Sequence, residues 1–92
     1  EVSMDKLMPL SGVYKEESGG KIMTIGVDRE TGKLWCHFSA SNMKPLLLAA
    51  SPTTFFVRFM DLKFSFISDK DGKVTGIELE QMGRKTTYTK AG

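Results

Sequence analysis

Ninety-two residues with 40% hydrophobic content are the size of one folded domain, able to bury roughly 60–65% of its unfolded surface around a single core. The net charge of +2 comes from 13 basic and 11 acidic residues scattered along the chain, and the longest apolar run, Leu46–Ala50, is far below the roughly 20 residues of a membrane span. Neither nucleic-acid binding nor a transmembrane segment is therefore expected, and the single cysteine, Cys36, excludes an intrachain disulfide while leaving the compartment unread.

The chain begins at Glu1 with no initiator Met and no signal-peptide pattern, which points to a segment of a longer precursor. Residues 1–9 read as a linker or a short helical turn: Ser3 can cap it, Met4, Leu7 and Met8 share one face, and Pro9 ends it. So brief a helix needs something to pack against, such as an open end of a sheet. From residue 10 to 92 hydrophobic alternation marks eight strands, at 12–16, 21–28, 33–39, 44–49, 54–60, 62–68, 73–81 and 84–89. Gly, Pro, Asp, Asn or Ser fills the gaps in "ESGG", "RETG", "SASN", "ASPT", "DKDG" and "MG", and only the break near Asp61 lacks such a signal.

Short connections leave no room for crossover helices, so the strands pair antiparallel with their sequence neighbours. The expected fold is all-β, an eight-stranded antiparallel up-and-down barrel, closed because closure removes the exposed edges; a two-sheet sandwich is the alternative. Side-chain parity places Met23, Ile25 and Val27 inside, then Leu34, Cys36 and Phe38, then Phe55, Val57 and Phe59, then Phe64 and Phe66. Val74 and Ile77 break parity, which calls for a bulge near Thr75 and Gly76, after which Ile77, Leu79 and Gln81 face inward. Five Phe in so short a barrel predict a nearly full interior.

Gly-Lys or Gly-Arg stands at the start of four strands, at Gly20-Lys21, Gly32-Lys33, Gly72-Lys73 and Gly83-Arg84. A phosphate loop needs a Ser or Thr next and a helix behind it, whereas Ile22, Leu34 and Val74 follow here and no helix does. "DKDGK" imitates the first calcium ligands of a helix-loop-helix site with Asp69 and Asp71, and Glu80 falls at the twelfth place. Val74 then sits where the sharp-turn glycine belongs. Glycine supplying positive φ at a hairpin exit accounts for all four sites. Cys36 and His37 are adjacent in a strand and point to opposite faces, so no nucleophile and base align. No catalytic residue, cofactor or metal is expected.

The stretches "LSGVY" (10–14), "GKLW" (32–35), "KPLLLAA" (44–50), "TTFF" (53–56) and "FSFISDKDGKVTGIELEQMGR" (64–84) resemble one family pattern, over roughly residues 10–89. It is the small lipocalin-like β-barrel domain of unknown function appended to the C-terminal side of bacterial serine hydrolases of the β-lactamase and penicillin-binding-protein type, and to some other peptidases. The resemblance implies an accessory domain, with the catalytic Ser and Lys in the neighbouring domain, and a periplasmic or extracellular setting. Gln81-Met82-Gly83 stands where the family pattern resembles Gln-Asn-Gly.

Outward parity gathers Trp35, His37, Leu47, Phe56 and Arg58 on the third to fifth strands, the composition of a docking surface for a neighbouring hydrolase domain or a second copy. A parity slip of one would turn the same residues into core. The other reading is a small-molecule site at the barrel mouth, with His37 or Arg58 as its polar handle.

Overall fold

The computed structural model describes residues 2–92. Its strands are β1 (Gly12–Glu16), β2 (Ile22–Asp28), β3 (Lys33–Phe38), β4 (Leu46–Ala49), β5 (Thr54–Val57), β6 (Leu62–Ser68), β7 (Val74–Gln81) and β8 (Arg84–Lys90). Each pairs antiparallel with its sequence neighbour, and β8 returns to β1 through Tyr14↔Lys90, Lys15↔Thr89 and Glu16↔Tyr88, closing the barrel.

The interior is the apolar half of the alternation. Tyr14, Met23, Leu34, Cys36, Phe55 and Phe64 are buried at its centre, each apolar side chain contributing about 1.5–3 kcal/mol by leaving water. Phe66 meets both Tyr14 and Phe55 edge-on, with ring centroids 6.1 and 5.6 Å apart, a geometry that sets the positive edge of one ring on the negative face of another. The expected irregularity in β7 is present: Ile67 pairs with Gly76 and Ser68 with Val74, leaving Thr75 unpaired as a bulge.

The four Gly-Lys and Gly-Arg sites are turns. Gly20, Gly32, Gly72 and Gly83 all adopt φ between 69° and 84° in open space, so backbone conformation alone selects glycine there. In "DKDGK" the Asp69 carboxylate is engaged by its own turn, its Oδ1 accepting the N–H groups of Asp71 and Lys73 at 2.9 Å each. Met82 and Gly83 both have positive φ, 51° and 81°, the type I′ pair in which Met takes the place Asn fills most easily.

Two expectations fail at β5. That strand ends at Val57 instead of residue 60, and Phe59, expected inside, lies in the β5–β6 hairpin at 92% exposure. The chain reverses through Arg58–Asp61, where the N–H of Leu62 donates to the Met60 carbonyl at 2.8 Å, without a glycine or proline to announce it. Gln81 keeps the expected inward parity, paired with Leu62, but is exposed because it stands at the open mouth of the barrel.

Hairpins β1–β2, β3–β4, β5–β6 and β7–β8 crowd one end of the barrel, and β2–β3, β4–β5 and β6–β7 the other. The second end is closed by the N-terminal segment. A helix, α1 (Met4–Leu7), runs on as a 3₁₀ turn (Met8–Leu10) that contains Pro9. Leu7 and Leu10 are driven into the core, and the Tyr14 hydroxyl donates to the Leu10 carbonyl at 2.6 Å. Ser3 starts α1 through its backbone carbonyl, which accepts from Lys6 and Leu7, while its hydroxyl makes no cap. The C-terminal residues return to the same end, where Val13 N–H donates to the Gly92 carbonyl at 3.1 Å.

Candidate functional site

The outer face of β3–β5 is where sequence patterning placed a docking surface. Trp35 points outward and is half-buried, because its indole lies across the Gly26 backbone of β2. A Cβ at Gly26 would fall inside the ring, so that glycine is what lets the indole lie flat. Lys44 Nζ sits 5.0 Å from the ring centroid on Trp35, a cation–π contact. Phe56 is outward at 38% exposure. His37 is half-buried, its Nε2–H donating to the Ser41 carbonyl at 2.7 Å, and Arg58 is exposed in the hairpin beyond β5.

Leu47 is not part of this face. It is 1% exposed in the core, opposite Leu34 in the register. The run Leu46-Leu47-Leu48 offers no alternation from which parity could be read. Its outward members are Leu46, facing Trp35 across the β3–β4 pair, and the half-buried Leu48, facing Phe56 across β4–β5. The face is thus Trp35, Leu46, Leu48 and Phe56, continuous across three strands.

The second feature is the barrel mouth, the alternative site read from the sequence. The end opposite α1 opens into a hollow of about 360 Å³, but neither His37 nor Arg58 lines it, since His37 points to the outer face and Arg58 lies in the hairpin beyond β5. The floor of the hollow is Phe38, Leu62, Leu79 and the ring of Tyr88, and its rim carries Glu16, Lys21, Gln81 and Arg84. The exposed position of Phe59 explains the space, since the ring that parity assigned to this end of the interior stands outside it. Of the polar rim only Gln81 was assigned inward by parity; Glu16, Lys21 and Arg84 belong to strand ends left unassigned, although Thr86 and Tyr88 alternate with exposed residues in "RKTTYTK". Tyr88 is 2% exposed, and its acidity is weakened first by burial and then by the negative charge of Glu16.

Chemistry elsewhere is muted. The Cys36 thiol is sealed in the core and burial pushes its pKa up to about 12, so it stays protonated at neutral pH, with His37 turned to the opposite face. Three serines stand three residues ahead of a lysine, Ser3–Lys6, Ser18–Lys21 and Ser41–Lys44. That spacing brings the two side chains together only along a helix. Ser3 lies outside α1 with extended backbone, Ser18 is in the β1–β2 hairpin, and the Ser41 Oγ accepts the Met43 N–H at 3.0 Å. Among the described residues no three His, Cys, Asp or Glu side chains cluster to hold a metal, and no helix is long and apolar enough to cross a membrane.

Compared with known proteins, residues 1–90 match the family model described as Domain of unknown function (DUF3471). No curated protein and no solved structure matches the chain.

Proposed function

We propose that this chain, which belongs to the DUF3471 family of domains of unknown function, is a non-catalytic accessory domain of an exported bacterial serine hydrolase that docks on its host through the outer face of β3–β5. One observation carries the reading: Trp35, Leu46, Leu48 and Phe56 present a contiguous apolar surface on three neighbouring strands, where a monomeric barrel has no use for it. Trp at the centre of such a patch contributes disproportionately to binding, and here Gly26 and Lys44 already hold the ring in place, which lowers the entropy lost on association. The link to a hydrolase, and with it the envelope or extracellular setting, rests on the sequence resemblance. The non-catalytic role draws on the sealed thiol of Cys36 and the scattered serines.

The coding sequence around this segment is the first test, and a serine-hydrolase domain in the same reading frame is expected. That domain, made separately, should bind the barrel, and Phe56→Lys should weaken binding about ten-fold or more, roughly 1.4 kcal/mol, without lowering the melting temperature. A reading frame without a hydrolase, or undiminished binding by the variant, refutes the reading. Self-association abolished by the same substitution would assign the face to a second copy.

The hollow favours a second, compatible role, lipocalin-like binding of a small molecule at the barrel mouth. The docking face and the mouth share no residue.

A further inference from the structure

We propose that the ligand of the open end is a small amphipathic carboxylic acid, its apolar body on Phe38, Leu62, Leu79 and Tyr88 and its carboxylate held at the rim by Arg84 and Lys21. The inference rests on the small-molecule reading and adds the chemical class. The hollow of about 360 Å³ has room for roughly a dozen non-hydrogen atoms at the volume each water takes in the liquid, about 30 Å³. That size suits a short fatty acid or an aryl acid.

Charge selects the head group. The one ion pair among the described residues is Lys85–Glu78, on the outer face of β7 and β8, so the Arg84 guanidinium and the Lys21 ammonium stand at the rim without a carboxylate partner. Between them they offer eight N–H donors and no acceptor. Glu16, the one acid of the rim, has its Oε1 turned onto the Lys21 N–H at 3.4 Å. Two cations against one carboxylate, with a surplus of donors, suit a ligand that brings acceptors and negative charge, and Arg pairs with a carboxylate through two parallel hydrogen bonds. Tyr88 adds an independent sign: the residue is 2% exposed and lines the hollow, and its hydroxyl has no hydrogen-bond partner among the described residues although it is not sealed from solvent. Reached by solvent and bonded to no protein group, that O–H is free to donate to whatever enters.

Isothermal titration and amide chemical-shift mapping with octanoate, octanol and octylammonium, which share one tail, separate the possibilities. Octanoate should bind best and shift the amides of Phe38, Leu79, Arg84 and Tyr88. Arg84→Gln, and independently Lys21→Gln, should weaken octanoate about ten-fold while leaving octanol unchanged; both residues are exposed, so the fold survives. If octanol binds as well as octanoate and neither substitution matters, the carboxylate assignment is overturned and the small-molecule reading stands. If none of the three binds, or the shifts map to the outer face of β3–β5, both fail.

Discussion

Cys36 and Tyr14 have no water around them, and both titrate late for that reason. Burial raises the Cys36 thiol from 9.0 to about 12 and the Tyr14 phenol from 10.0 to about 12. An acid whose folded pKa is raised holds its proton longer in the native state than in the unfolded chain. Its contribution is therefore complete below the unfolded value and is lost as pH rises toward the folded one. Denaturant melts should show constant stability from these groups up to about pH 9. Above it, each ionising group should remove about 1.4 kcal/mol per pH unit. Cys36→Ala should delay the onset from about pH 9 toward pH 10, where Tyr14 begins to titrate. An unchanged pH profile in the variant would mean that the thiol is reached by water in the native state.

Among the elements, β4 is the weak stave. It has four residues and only two register pairs on each side, whereas β6 and β7 share seven. Few ladder bonds mean a low local opening free energy, so hydrogen exchange at Leu46–Ala49 should run about 100-fold faster than at Phe64 or Leu79. Equal rates would show that the barrel opens only as a whole. The same element was the least legible in the sequence, because a run of three leucines carries no period of two. The reverse holds for β7, where the parity break between Val74 and Ile77 announced the bulge at Thr75. Turns with Gly at their exit were plain, while the reversal at Arg58–Asp61 was not, and that one miss sent Phe59 to the wrong side. The mouth was legible as an alternative site but its lining was not, because a cavity is shaped by side chains that are missing from it and a sequence lists only those present.

Taken whole, the molecule has two unlike poles. Two of the three hairpins at the closed end bear charged tips, Asp28, Arg29 and Glu30 in one and Asp69, Lys70 and Asp71 in the other, whereas three of the four at the open end bear the exposed apolar residues Met43, Phe59 and Met82. Leu7 belongs to the closed pole, and Leu7→Ala should destabilise the barrel by about 2–5 kcal/mol in denaturant melts, since its fully buried side chain lies beside Leu34, Leu47 and Phe55 with only the partly buried Val2 next to it. Octanoate affinity at the far pole should stay the same. A loss below 1 kcal/mol would show the segment to be an adornment that the core does without.

The strands that close the barrel, β1 and β8, meet beside this cap, and the backbone of Val13 holds Ala91 and Gly92 through its N–H and its carbonyl. Polypeptide spliced to either terminus thus departs from a single hub, as string leaves a kite at its bridle. The open mouth therefore looks away from whatever either end is joined to, and stays free to sample its surroundings.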